Sequence, residues 1–124
     1  MFYEKELTEK IISCAIEVHR SLGPGLLESA YEECLCRELE LRGIPFVRQR
    51  PVPLVYKDRP VELGYRLDLL VDSRVIVELK CVETILLIHR MQLLTHLRLC
   101  HVKVGLLLNF YVPVLKEGIY RMVA

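Results

Sequence analysis

The residues whose types and spacing carry chemistry most directly are Asp68 and, ten positions later, Glu78-Leu79-Lys80. They fall in two apolar runs, Tyr65–Val71 and Val75–Lys80, separated by the polar Asp72-Ser73-Arg74. That pattern predicts two neighbouring strands joined by a short turn. If Val71 pairs with Val75, Asp68 lies opposite Glu78. Side chains alternate along a strand, so Leu67, Leu69, Val71, Val75, Val77 and Leu79 are expected on one apolar face. Arg66, Asp68, Glu78 and Lys80 then share the other face with Leu70 and Ile76. Opposed side chains sit with Cβ atoms about 5 Å apart, where like charges are destabilising. Two arrangements would relieve the repulsion. Arg66 and Lys80 can neutralise the acids in an ordinary ion-pair cluster, or a divalent cation can bind between them.

The second arrangement implies phosphodiester hydrolysis. Hard cations such as Mg²⁺ or Mn²⁺ take carboxylate and carbonyl oxygens, which Asp68, Glu78 and the backbone carbonyl of Leu79 could offer. Such a metal polarises a phosphoryl oxygen and acidifies water. Lys80 points to the same side as Glu78, where its ammonium can position the attacking water and stabilise charge on the phosphate. Glu28, expected in the first turn of a helix, is a candidate third carboxylate, although an acid there also suits the helix dipole. Gln92 and His96 stand four apart on another predicted helix, with His89 three before Gln92. They form a polar stripe that faces either solvent or a site. His19, near the end of the first helix, reads as a satisfied, partly buried histidine.

The elements that must position these groups follow from periodicity. Thr8 is placed to cap a first helix with Leu7, Ile11, Ala15, Val18 and Leu22 at helical spacing, and Gly23-Pro24-Gly25 ends it. A second helix is expected from about Leu26 to Arg42, with Leu27, Ala30, Tyr31, Cys34 and Leu35 inward and Gly43 as its stop. Val47 to Tyr56 reads as a strand that Pro51 and Pro53 confine to an edge. Lys57-Asp58-Arg59-Pro60 is the expected turn into the Asp68 strand. A third helix runs from about Leu86 to Leu99. The nearly continuous apolar run Val102–Asn109 predicts a central strand, and a last short strand spans Ile119–Val123. The order α-α-β-β-β-α-β-β predicts an α/β fold, a mixed β-sheet flanked by helices.

Composition bounds the rest. With 124 residues, 52% of them hydrophobic, residues 1–124 suit a single domain. No run approaches the roughly eighteen apolar residues a membrane span needs. The first residues lack the basic and apolar regions of a signal peptide, which makes a cytoplasmic location the default. A formal net charge of +1 provides no global field for nucleic acid, although Arg42, Arg48, Arg50, Lys57 and Arg59 fall in one stretch. Five cysteines without zinc-type spacing read as reduced, mostly buried small hydrophobes.

Taken together, the acids, Lys80 and the element order resemble the PD-(D/E)xK nuclease superfamily, whose restriction-endonuclease-like core carries its acid and its (D/E)xK pair on adjacent strands. More closely, the chain resembles the GxxExxY family of that superfamily. Gly25-Leu26-Leu27-Glu28-Ser29-Ala30-Tyr31 matches the naming motif in full. Val18–Gly25, Arg66-Leu67-Asp68, Val77-Glu78-Leu79-Lys80, Gln92-Leu93-Leu94 and Gly105–Phe110 also resemble the family, so the likeness covers nearly the whole chain. It implies Asp68, Glu78 and Lys80 as the catalytic trio, Glu28 as the helix carboxylate of exonuclease-like branches, and Mg²⁺ or Mn²⁺ as cofactor. Gln92 matches the glutamine of a QxxxY-type motif, and His96 stands where that motif has tyrosine. Gln92, His96 and Tyr31 are the expected substrate-positioning residues. Leu67 replaces the proline of the superfamily's name.

Two functional readings follow. One is a metal-dependent nuclease acting on nucleic acid, most readily DNA, with a homodimer or a protein partner supplying surface that so small a domain lacks. The other is a non-catalytic binding module on the same scaffold. A basic groove leading to Asp68 and Glu78 would favour the first, and an acidic or apolar rim the second.

Overall fold

A computed structural model of the chain describes residues 2–62 and 64–124. The first helix, α1 (Lys5–Leu22), buries Leu7, Ile11, Cys14, Ala15 and Val18 along one stripe. It begins three residues before Thr8. The Thr8 hydroxyl does not cap it but, already buried, donates within the helix to the carbonyls of Glu4 and Lys5. Glu4, with φ of 52°, makes the entry instead. The second helix, α2 (Glu28–Leu41), turns Tyr31, Leu35, Cys36 and Leu39 inward. Leu27 precedes the helix and is 77% exposed, against the expectation that it faces the core. The helix stops where the Gly43 N–H returns to the Glu40 carbonyl.

Five strands form one mixed sheet in the order β1 (Phe46–Pro51), β4 (Arg66–Val71), β5 (Val75–Lys80), β6 (Val104–Asn109) and β7 (Ile119–Val123). The pair β5–β6 is parallel, connected over the sheet by α3 (Leu87–Cys100), and the other pairs are antiparallel. All six residues of β6 are buried, as its unbroken apolar run requires. The region expected as one strand from Val47 to Tyr56 is divided. Pro51 and Pro53 end the edge strand, and a small separate hairpin follows, β2 (Val55–Tyr56) with β3 (Arg59–Pro60). Lys57 and Asp58, with φ of 47° and 67°, turn that hairpin rather than leading straight into β4.

Each sheet face has its own core. Under α1 and α2 lie Leu69, Val71, Val75, Val77, Leu79, Val104, Leu106 and Leu108. Under α3 lie Leu67, Leu70, Ile76 and Leu107 against Leu93 and Leu97. Leu67 is therefore on the side opposite to the one that strict alternation predicts. The departure coincides with Gln49, whose φ of 51° interrupts β1 between the pairs Arg48↔Leu69 and Arg50↔Leu67. None of the described helices is long and apolar enough to cross a membrane.

The link from β6 to β7 is a short 3₁₀ turn, Leu115–Gly118, whose last residue is buried against the end of β6. A Cβ at Gly118 would stand 2.2 Å from the backbone oxygen of Asn109. Backbone cannot swing aside as a flexible side chain can. Gly118→Ala is expected to lower stability by about 1–3 kcal/mol, the range for overpacked sites, read as a lower urea midpoint at unchanged slope.

Candidate active site

The floor of the site is the β4–β5 pair. Its ladder runs in the expected register, Val71↔Val75, Leu70↔Ile76 and Leu69↔Val77. The ladder ends there, and at Asp68 a side chain takes over from the backbone. Asp68 Oδ2 accepts the N–H of Leu79 at 2.8 Å. Glu78 and Lys80 alternate with the buried Val77 and Leu79, so both project to the α3 side of the sheet. The two acids and the lysine share a cleft of about 570 Å³.

Two walls enclose that floor. One is the segment between β1 and β4, which contributes Val52, Leu54 and Tyr65. It is tied down by the Val52 N–H donating to the Tyr65 carbonyl at 2.9 Å and the Val61 N–H to the Leu54 carbonyl at 2.8 Å. The other is α3, which contributes Ile88, His89, Met91, Gln92, Thr95 and His96. Glu28, the first residue of α2, reaches the same cleft from an exposed position at its edge.

Several supports hold these groups. His96 Nδ1 lies 3.1 Å from Glu78 Oε1, with both side chains largely buried. The contact fastens Glu78 to α3. Gln92 is exposed in the cleft and, among the described residues, makes no side-chain hydrogen bond. His89 has a second task, because its Nδ1 accepts the Leu86 N–H at 3.0 Å and caps α3. Beyond Lys80, Asn109 fixes the chain. Its Oδ1 accepts the N–H groups of Val82 and Tyr111, and its Nδ2 donates to the Val82 carbonyl. Asn109 was visible in the sequence only as the end of an apolar strand, and its clamp required the fold to be seen.

Tyr31 lies apart from the cleft. It is fully buried, its ring stacked on Phe110 at 4.5 Å. Its hydroxyl donates to the Gly23 carbonyl at 2.5 Å and accepts the Leu26 N–H at 3.1 Å. The structure thus places it beneath the loop that delivers Glu28, not where it could touch a substrate. Gly23 and Gly25, with φ of 72° and 105°, let that loop turn tightly between the helices. The spacing Gly25-x-x-Glu28-x-x-Tyr31 has a physical meaning here: a turn, a carboxylate at the helix start, and a buried phenol that pins the turn. His19 is buried and bonded through Nε2 to the Val112 carbonyl at 2.8 Å, a satisfied core histidine as expected. Cys14 and Cys36 are buried, and Cys34, Cys81 and Cys100 half-buried, all as free thiols.

Sequence reasoning passed over Glu32, which is buried one turn after Glu28. It accepts from Arg48 at 2.9 Å and from the Gln49 amide at 3.0 Å, tying α2 to the β1 edge. Arg66, one proposed neutraliser of the acids, is turned to β1 and donates to the Gln49 carbonyl at 2.9 Å. It forms no ion pair with Asp68 or Glu78.

The electrostatics follow from this arrangement. Burial first, then the charge of Glu78, pushes the Asp68 carboxyl up to about 7, with smaller pushes from Glu28 and Glu32 and an opposing pull from the Leu79 N–H. Glu28 is also raised, chiefly by loss of water and further by Glu32 and Glu78, while Lys80 acts against the shift. Among the described residues, no group of three or more His, Cys, Asp or Glu side chains is placed to hold a metal ion. The cleft does bring together two carboxylates on its floor and a third at its edge, with Lys80 beside them and His96 bonded to Glu78. Oxygen-only sites of this kind suit Mg²⁺ or Mn²⁺, which keep several waters and borrow ligands from substrate phosphates.

A family model described as the PD-(D/E)XK nuclease superfamily matches residues 5–122. The chain belongs to the PD-(D/E)XK nuclease superfamily. Its five-stranded mixed sheet with flanking helices is the restriction-endonuclease-like architecture of that superfamily. Neither the curated proteins nor the solved structures gave a match.

Because the folded Asp68 holds its proton up to about pH 7 and an unfolded aspartate releases it near 3.8, the native state binds more protons between those values. Stability in metal-free buffer is therefore expected to be greatest below about pH 4 as far as this group is concerned, and to fall as pH rises to 7. Asp68→Asn keeps an acceptor for the Leu79 N–H and removes the charge. At pH 8 with chelator it should be more stable than wild type by on the order of 1–3 kcal/mol, with the gap closing toward pH 5. Thermal melts of both proteins across pH measure this, and parallel curves would contradict it.

Proposed function

We propose that this superfamily member is a metal-dependent nuclease that hydrolyses phosphodiester bonds in DNA. The observation that carries the reading is the convergence of Asp68, Glu78 and Lys80 on the floor of one cleft, with Glu28 at its edge. Asp68, Glu78, the Leu79 carbonyl and Glu28 are the groups that would hold Mg²⁺ or Mn²⁺. When bound, the cation supplies Lewis-acid polarisation of the phosphoryl group and lowers the pKa of the attacking water. The remaining work belongs to the chain. Lys80 orients that water and stabilises charge building on the phosphate. Gln92, with free hydrogen-bonding capacity in the cleft, and His96, through its Nε2, position the substrate. Tyr31 contributes indirectly by pinning the loop before Glu28.

The finer assignment, to the GxxExxY family, rests on the Gly25–Tyr31 motif and on the structural role each of its residues plays. A cytoplasmic setting and a homodimer or partner protein belong to the same reading, since a domain of this size offers little surface to grip a duplex.

Two observations favour the second reading, a non-catalytic binding module. The rim of the cleft is largely apolar, with Tyr65, Ile88 and Met91 exposed, and Glu78 already has a partner. His96 pairs with Glu78 and occupies part of the carboxylate a metal would use. Substitutions separate the two. Lys80→Ala should abolish cleavage of DNA in Mg²⁺ or Mn²⁺ while calorimetric metal binding persists. Asp68→Asn should weaken the metal as well, by at least about tenfold. Cleavage that survives in both variants, or a wild type that neither binds metal nor cleaves, would leave the binding module as the better account.

A further inference from the structure

The walls of the cleft differ in chemistry from its floor. The wall that follows β1 carries Tyr65, 57% exposed, and the α3 wall opposes it with Ile88 and Met91, each 51% exposed. Tyr65 is backed by structure on both sides. Its carbonyl holds the Val52 N–H, and its ring centroid lies 6.3 Å from that of His96, the partner of Glu78. An exposed aromatic held by its backbone at the wall of the cleft that contains the acids is a platform for a flat ring. Residues 50–66 also carry four cations, Arg50, Lys57, Arg59 and Arg66, against the two acids Asp58 and Glu62. The described residues pair none of the four in a salt bridge, whereas Arg48 just before them is held by Glu32 and Glu33. Of these cations Arg66 lines the cleft itself, with one guanidinium N–H given to the Gln49 carbonyl, and the others belong to the segment that forms the wall. Exposed aromatic and apolar surface thus lies beside positive charge that no carboxylate of the described residues neutralises.

We infer that the cleft takes an unpaired DNA strand, with phosphates running past the cations of residues 50–66 and a base stacked on Tyr65 beside the acids. This deepens the nuclease reading and rests on it for the chemistry, but it makes a separate claim about substrate. A duplex hides its base faces inside the stack and presents phosphates and groove edges, so an apolar wall would face nothing it could use. An unpaired strand exposes both elements the walls complement: charge along the backbone and a π-face on every base. Stacking of this kind tolerates any base, so recognition should be weakly sequence-dependent. Tyr56 on the β2–β3 hairpin is a second exposed aromatic, 64% exposed, with Lys57 Nζ 5.3 Å from its ring centre.

The test is equilibrium binding of labelled 15-nucleotide single strands and blunt duplexes of the same sequence, with Ca²⁺ in place of Mg²⁺, on wild type, Tyr65→Ala and Tyr65→Phe. Single-stranded DNA should bind at least about tenfold tighter than duplex. Tyr65→Ala should weaken it by roughly five- to hundredfold, the range of one lost base stack, while Tyr65→Phe stays near wild type. Circular dichroism melts of both variants establish that they fold. Equal or tighter binding of duplex, or full affinity in a folded Tyr65→Ala, would overturn the inference, as would failure of wild type to bind either form. An RNA strand of the same sequence forms a third arm, and tighter binding of RNA than of DNA would overturn the choice of DNA. Cleavage in Mg²⁺ is scored separately with Lys80→Ala. Duplex cut without strand preference sinks only the present inference, and a strand bound through Tyr65 but never cut sinks only the nuclease reading.

Discussion

A hydrogen bond from the Leu79 N–H to the Asp68 carboxylate marks the point where the sheet stops being scaffold and becomes a site. Up to Leu69↔Val77 the β4–β5 pair is held by its antiparallel register of backbone partners. Beyond it, a side chain accepts the bond at 2.8 Å, and the same contact aims Asp68 at the space in front of Glu78. A carboxylate used this way is half-buried beside another carboxylate, which is costly in any purely structural setting. The rest of the molecule can be understood as a set of devices that hold this pair in place. Two helices bury the other sheet face, His96 fastens Glu78, and Asn109 fixes the chain as it leaves Lys80.

Much of this was legible because strands alternate and because turns announce themselves. The polar triplet Asp72-Ser73-Arg74 correctly predicted the register from Val71↔Val75 to Leu69↔Val77, and the apolar run in β6 correctly predicted an inner, buried strand. Alternation misled at Leu67, where the interruption at Gln49 breaks the pattern on the neighbouring strand. Gln49 gives no warning in sequence, since glutamine rarely takes a left-handed conformation. The strand expected from Val47 to Tyr56 failed for a reason that was visible. Pro51 and Pro53 remove backbone donors, and the chain uses the interruption to lay Val52, Leu54 and Tyr65 along the cleft.

For the site itself, spacing sufficed for residues on regular elements. Asp68, Glu78, Lys80, Gln92 and His96 all line one cleft, and Glu28 joins them from the start of α2. Residue type was a poorer guide to role. Tyr31 stands in a motif with Glu28 but packs on Phe110 and bonds the loop backbone. Arg66 shares a strand with Asp68 yet turns to Gln49. In both cases the deciding partner is more than seven residues away in sequence or a backbone carbonyl, neither of which a local pattern encodes. The walls of the cleft were equally illegible, because they join an irregular segment to a helix that begins more than twenty residues after it ends.

The pair His96–Glu78 ties the two sides of this architecture together. The imidazole of His96 lies against the carboxylate, its Nδ1 3.1 Å from Glu78 Oε1. That contact helps hold Glu78 without a metal, which a lone buried carboxylate would resist. It does not help Asp68, whose carboxyl is held up to about 7 with only a backbone N–H to favour its charge. The two acids of the trio are thus unequally provided for. Glu78 is held by a side chain, and Asp68 is the one that gains most from an added positive charge. An arrangement meant only to carry ion pairs would have placed Arg66 within reach of Asp68 on their shared strand. Its commitment to Gln49 leaves the negative charge facing the cleft, where a cation or the environment of a bound phosphate can reach it.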